Sequence, residues 1–514
     1  MTGKPLFGIS KERTFVEKMI VLDRCFRKAS RFFLAGMIIL LFLISTACET
    51  PKSRTQKRKK SVESGLHKAV VFKGQKPERM MLEDRMSYYR VPGVSMAVIY
   101  QYQIDWTEAY GVKETGRSED VTTHSLFQAA SLSQPVTALA ALRFVDEGRI
   151  TLDSNVNEFL SSWKLPGNRV TGENKVTIRT LLSHCAGLIP HEFRGYPQSE
   201  PLPTLRQILD GQKPANSPAA RVYAVPGTQY SYSELGYAVL QQLLIDLEEK
   251  PFPQIMRESV LQPLGMERST FEYPLPAGVK EMAMTGHLHQ GEPLEGKWFR
   301  YPEMAAAGMW TTPTDLALFL IDVMKTARGE SREVVSPELA RAMLTPQLDI
   351  QGCGFLIEDA GDNLFFHLKG RNEGFECFMV AYPVRGEGAV VMTNSANGSY
   401  LIEEILRGIS AAYEWPHFQP EEKTIYRLDT SVYAQYVGKY EVNPEYILDV
   451  AHEDYYLVVT PPGQAPTRFF AQGLSVFFST DPYVVIRFEK DDEDRVTGLI
   501  LRQRGQSTRA RKIE

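Results

Sequence analysis

The chain has 514 residues, 43% of them hydrophobic and 11% aromatic, enough to bury a large core and build a second domain. Its net charge of −4 is uneven: residues 1–60 carry 14 Lys and Arg against 4 Asp and Glu, which leaves −14 on the remainder. So acidic a body argues against nucleic acid as a partner.

In chain order, an apolar run from Phe32 to Ala47 follows Arg24, Arg27, Lys28 and Arg31. Basic-then-apolar is the order of an export signal, and the run is short for a spanning helix. It ends in Thr46-Ala47-Cys48, which resembles a bacterial lipoprotein cleavage site with Cys48 as the lipidated residue. Residues 1–47 are therefore expected to be an export signal or membrane anchor. The protein is expected to be membrane-associated, exported and held at a bacterial membrane by lipid or, alternatively, by an uncleaved anchor helix. Lys52, Arg54, Lys57, Arg58, Lys59 and Lys60 make 48–75 a basic tether, drawn to anionic lipid by about 1 kcal/mol per basic residue near the surface.

A helix is predicted from Lys76 to Tyr89, a strand over Val91–Ile99, and its hairpin partner over Trp106–Gly111. Ser131-Leu132-Ser133-Gln134 opens the next helix. Val176–Leu188 reads as another, where Ser183 and His184 are adjacent and so diverge by about 100° on a helix; a structural role suits them better than a catalytic pair. Thr312 is set to cap a further helix, with Pro313 as its first residue and Asp315 in its first turn. Ala389–Asn394 reads as a buried strand, and 415–424, rich in Pro and charge, as a linker. Short strands then follow at Tyr446–Val450, Tyr455–Thr460, Arg468–Ala471, Val476–Ser479, Tyr483–Glu489 and Gly498–Arg502, the spacing of an antiparallel sheet or small barrel. Cys185, Cys353 and Cys377 lack metal-ligand spacing. They read as small core residues, with one disulfide among them left open.

Three segments carry chemistry. The first is Ser131 through Gln134, with its flanks Phe127–Ala138 and Asp146–Asp153. The second is Tyr232-Ser233-Glu234, and the third is Phe366-His367-Leu368-Lys369-Gly370-Arg371-Asn372-Glu373-Gly374-Phe375. Together they resemble the serine β-lactamase and penicillin-binding-protein-like hydrolases, over roughly residues 80–415. That resemblance implies an α/β fold of β-lactamase/transpeptidase type, an antiparallel sheet flanked by helices, over 76–415. It also implies a lipocalin-like C-terminal β domain over 425–514. No cofactor is implied; the partner is a small-molecule or short-peptide substrate.

In this family Ser-x-x-Lys supplies nucleophile and base. Ser131 stands at the nucleophile position, but the base position holds Gln134, whose amide neither takes a proton nor supplies charge. Tyr232 matches the Tyr of the family's Tyr-x-Asn loop and is the second catalytic residue implied; its third position is Glu234, itself a candidate proton acceptor. In the third motif the family places Lys or His two residues before Gly. Anchoring on Gly370, Asn372, Gly374 and Phe375 puts Leu368 there. Anchoring on His367 instead puts Lys369 where Gly belongs. His367 and Lys369 share one strand face, and if that face is the cleft, either is a proton partner. The resemblance places the oxyanion hole at the backbone N–H groups of Ser131 and Arg371. Two functions follow as expectations: an acyl-enzyme hydrolase of a small ester, amide or D-amino-acid peptide, or a catalytically impaired pseudoenzyme acting as a tethered binding or scaffold protein.

Overall fold

Near-continuous apolar runs, buried on both faces, produce the central sheet of the computed structural model, which describes residues 51–503 and 506–514. Its strands are β1 (Gly93–Tyr100), β2 (Gln103–Gly111), β3 (Leu356–Glu358), β4 (Phe365–Asn372), β5 (Phe375–Tyr382) and β6 (Glu387–Thr393). They pair in the order β2-β1-β6-β5-β4-β3, with every neighbour antiparallel. Successive side chains enter opposite layers. On β1, Val94, Met96 and Val98 join one core, and Ala97 and Ile99 join the other. Both faces are apolar because helices cover both.

On the larger side lie α1 (Ser133–Asp146), α2 (Glu234–Glu248) and α3 (Pro313–Ala327). The start of α3 is as predicted: the Asp315 N–H donates to the Thr312 hydroxyl at 3.2 Å, and Pro313 follows the cap. On the other side α4 (Gly398–Tyr413) presents Leu401, Ile402, Ile405, Leu406 and Ile409 to the sheet.

The C-terminal part is a closed antiparallel barrel of eight strands, the lipocalin-like form. The strands are β7 (Gly438–Asn443), β8 (Tyr446–Glu453), β9 (Tyr456–Thr460), β10 (Thr467–Ala471), β11 (Val476–Thr480), β12 (Tyr483–Lys490), β13 (Val496–Gln503) and β14 (Gln506–Lys512). Tyr436, Tyr440, Leu457, Phe477, Ile486 and Leu499 fill its interior, as side chains do in small barrels. Barrel and body are joined by charge: buried Arg85 donates to both oxygens of Glu404 at 2.8 and 2.7 Å, and to Asp481 of the barrel at 3.1 Å.

Two expectations are corrected, and one open point is answered. Residues 51–63 are a helix, and Val70–Phe72 is a strand, so 48–75 is not a plain tether. Val62 and Leu66 are buried in the core under α4. The 415–424 linker is likewise built in, since Trp415 is buried and Glu421–Lys423 pairs in parallel with Val70–Phe72. Cys185, Cys353 and Cys377 are all free thiols, so no disulfide forms among them. The apolar run and Cys48 lie outside the described residues, among which no helix is long and apolar enough to cross a membrane.

Candidate active site

The chain reaches Ser131 through a strained turn. Ala130 has φ +48°, a left-handed conformation that costs a non-glycine residue about 1–2 kcal/mol. The surroundings hold it there. The Ala129 N–H donates to the Met309 carbonyl at 2.8 Å, and the Ser133 hydroxyl donates to the Ala130 carbonyl at 2.6 Å. From the sheet, the Cys377 thiol reaches the Ala129 carbonyl at 3.0 Å. A 3₁₀ turn, Ala130–Leu132, then leads into α1.

Strand β4 passes directly beneath this turn, and Gly370 is what allows it. A Cβ there would stand 2.5 Å from both the Ala129 carbonyl oxygen and Cys377 Sγ. That contact fixes the register left open by the sequence. Gly370, Leu368 and Phe366 face the Ser131 side, the last two in its core, so Leu368 occupies the family's Lys/His position. His367 and Lys369 face the opposite layer, where His367 stacks between Phe365 and Phe378 and its Nε2 meets Glu358 at 2.8 Å. Neither side chain hydrogen-bonds Ser131 or Tyr232, although the strand brings both to the border of the same cleft. Asn372 is structural, donating to Gln128 Oε1 at 2.8 Å and the Ala307 carbonyl at 3.1 Å.

What does meet Ser131 is Tyr232. Their hydroxyl oxygens lie 3.0 Å apart. Gln134, fully buried, brings its Nε2 to 2.8 Å from Tyr232 Oη. Its orientation is set by His184, which the sequence reading left as structural. Burial depresses His184 to about 4, so its ring is neutral. The Ser233 N–H faces Nδ1 at 3.2 Å, and Nε2 faces Gln134 Oε1 at 3.1 Å. Nδ1 accepts, so Nε2 carries the proton and donates to the amide oxygen, which turns the amide nitrogen toward Tyr232. His184 also has a strained φ of +53°. The adjacent Ser183-His184 pair in the 176–188 run was its only sequence signal, and Ser183 does not pair with it but donates to the Arg179 carbonyl at 2.8 Å.

Glu234 completes the group. As the first residue of α2 it accepts from the Phe193 N–H at 2.6 Å through Oε2, and its Oε1 lies 3.4 Å from Tyr232 Oη, a long contact. Burial pushes its carboxyl up to about 8, although the Tyr232 and Ser131 hydroxyls both pull it down. Burial, with Glu234 beside it, also holds the Tyr232 phenol well above its ordinary value. The cleft around these groups holds about 870 Å³ and is walled by Phe193, Tyr230, Phe299, Tyr301, Leu356 and Leu368. No cluster among the described residues is built to hold a metal ion.

A second buried acid lies nearby. Glu303 has no partner for either carboxyl oxygen among the described residues, and burial pushes it up to about 8 as well. Folded chains keep both protons to about pH 8, whereas unfolded chains release them above about 4.5. The stability this contributes is full below the lower value and is lost as pH rises through the upper one. The melting temperature is thus expected to fall between about pH 4.5 and pH 8, and Glu303→Gln to flatten part of that fall in scanning calorimetry. An unchanged slope would contradict the assignment.

A nucleophile-position Ser on a helix start, a Tyr hydroxyl against it, and an antiparallel strand beneath both are now in place. The sequence profile of the Beta-lactamase family matches residues 79–412. The chain belongs to that family. Among curated relatives, protein flp of Staphylococcus aureus (strain MW2) is 22% identical over 332 residues, 62% of this chain and 63% of that protein. The unguisins hydrolase ungD' of Aspergillus campestris is 27% identical over 252 residues, 44% of this chain and 43% of that protein. The chain thus aligns with less than two thirds of the length of either relative. Among solved structures, the octameric penicillin-binding protein homologue from Pyrococcus abyssi superposes with a TM-score of 0.57 at 19% identity, covering 84% of this chain and 98% of that one. SurE gives 0.53 at 22%, covering 84% and 97%. These structures share the family fold.

Proposed function

We propose that the protein is a serine hydrolase of the β-lactamase family in which a Tyr232–Glu234 relay replaces the missing lysine. The observation that carries this is the 3.0 Å contact between the Ser131 and Tyr232 hydroxyls, with Glu234 behind the phenol. In the reaction, Ser131 Oγ attacks the substrate carbonyl carbon. Its proton passes to Tyr232 Oη as the phenol proton passes to Glu234. The Gln134 amide steadies the phenolic oxygen by hydrogen bonding, a weaker aid than a cation. The backbone N–H groups of Ser131 and Arg371 would hold the developing oxyanion, near the N-terminus of α1. Collapse breaks the ester or amide bond, and the leaving group takes the proton back from Glu234. Water then repeats the sequence on the acyl-serine and releases a carboxylic acid. The aromatic walls suit a small ester, amide or D-amino-acid peptide.

At neutral pH most Glu234 is protonated, so turnover is slow. The second reading, a tethered binding protein, draws on one observation: the fully buried neutral Gln134 where the family has a cation. Nitrophenyl-ester hydrolysis at about pH 9 separates the two. The hydrolase reading expects acyl-Ser131 by mass spectrometry and loss of activity in Ser131→Ala. Equal rates in wild type and Ser131→Ala would leave the binding role. Cys48 lipidation remains part of the proposal, supported by the apolar run ending in Thr46-Ala47-Cys48. Cys48→Ser should release the protein from membranes or block its processing, and unchanged retention and size on a gel would count against it.

A further inference from the structure

His184 takes no proton in the proposed reaction, yet the fold fixes it from several sides. It is buried, and its carbonyl accepts from the Ser231 N–H at 2.8 Å. Its ring lies against Tyr232 and Tyr237, with centroids 4.5 and 5.3 Å away, and meets Tyr230 at near right angles at 6.4 Å.

Ser233, the residue before α2, decides the tautomer. Its N–H and its carbonyl both lie 3.2 Å from His184 Nδ1. The carbonyl already accepts from the Gly236 N–H at 3.2 Å, whereas the N–H has Nδ1 as its acceptor. Leaving a buried N–H unpaired costs more than leaving a carbonyl with one donor. Nδ1 therefore accepts, and Nε2 carries the proton toward Gln134 Oε1 at 3.1 Å.

The consequence reaches the proton path. A phenol oxygen donates one hydrogen bond and accepts others. Because Gln134 Nε2 donates to Tyr232 Oη at 2.8 Å, the phenol hydrogen cannot point at residue 134. It is left for Ser131 Oγ at 3.0 Å or Glu234 Oε1 at 3.4 Å. With the amide reversed, an acceptor would stand where Nε2 now stands. That shorter contact would draw the phenol hydrogen away from Glu234.

We propose that His184 is a positioning residue of the reaction: its Nε2–H holds the Gln134 amide in the one orientation that leaves the Tyr232 proton free to pass to Glu234. The inference rests on the Tyr232–Glu234 relay and adds no proton-transfer step to it. His184 acts through Gln134 and stays neutral throughout.

Two measurements test it. Nitrogen-15 NMR of the full chain labelled at histidine reads the tautomer without turnover. The His184 signals are assigned by their loss in His184→Phe and their shift in Gln134→Met. We expect a protonated Nε2 and an unprotonated Nδ1 at neutral pH; the opposite tautomer would overturn the proposal. The second is a double-mutant cycle on acylation of Ser131 by a fluorophosphonate at about pH 9. His184→Phe keeps a ring against Tyr232 but removes the donor, and should slow acylation by about tenfold or more, the scale of one hydrogen bond. In a Gln134→Met background the same change should slow it no further, because no amide is left to orient. A purely structural His184 would cost the same factor in both backgrounds. Equal losses in an active protein would sink this inference alone, whereas absence of wild-type acylation would sink the hydrolase reading and this inference with it.

Discussion

Gln134→Lys is expected to raise acylation of Ser131 by a fluorescent penicillin or a nitrophenyl ester. The Gln134 amide nitrogen already sits 2.8 Å from Tyr232 Oη, so a lysine there brings an amine to the phenol and near Glu234. Its charged form would favour ionised Tyr232 and ionised Glu234, both of which burial now holds neutral. Its neutral form would accept the Ser131 proton. General-base catalysis typically contributes about 10²–10⁴-fold, so the gain should be plain in a time course at neutral pH. A structural cost accompanies it. His184 Nε2–H, which now donates to Gln134 Oε1 at 3.1 Å, would face a donor, and the melting temperature should drop. A variant that folds and labels no faster than wild type would show that residue 134 does not limit the chemistry.

The second large effect is expected at Glu234. Glu234→Gln keeps the side-chain size, and its amide oxygen can still accept from the Phe193 N–H. It removes the one carboxylate that the structure places behind the Tyr232 hydroxyl. An amide cannot take the relayed proton, so acylation above about pH 8 should fall by about 10²–10⁴-fold. Tyr232→Phe should fall comparably by removing the atom that bridges Ser131 to Glu234. The pH dependence separates the two roles. Wild-type acylation should rise about tenfold per pH unit up to about 8, because only the ionised carboxylate accepts a proton, whereas Glu234→Gln should lose that slope.

Much of this was legible in the residues themselves. Ser131 and Tyr232 could be placed together from their flanks, and the layered fold from the order of strands and helices. The third motif was not settled, because a one-residue shift exchanges the faces of a strand. Gly370 decides it: the close approach of Ala129 and Cys377 admits no side chain, which puts Leu368 in the core on the Ser131 side. The His184 hydrogen bond to Gln134 was hidden for another reason. It spans 50 residues, and nothing local in Ser183-His184 distinguishes a core histidine from one that orients an amide. The first and last barrel strands went unread because Gly438–Asn443 and Gln506–Lys512 are polar and charged. They are strands because they close the barrel on each other, with Tyr440 opposite Lys512. The basic 51–63 helix misled similarly, since Lys and Arg read as a solvated tether but also favour helix.

The central claim is that Ser131 is activated through Tyr232 by Glu234 rather than by a cation. Its most direct test is the rate of Ser131 acylation by a fluorophosphonate, followed by mass spectrometry from about pH 6 to pH 10, in wild type and Glu234→Gln. The account predicts a wild-type rate that climbs to a plateau above about pH 8, and a variant that is slow with no such climb. A pH-independent wild-type rate that Glu234→Gln reproduces would contradict it.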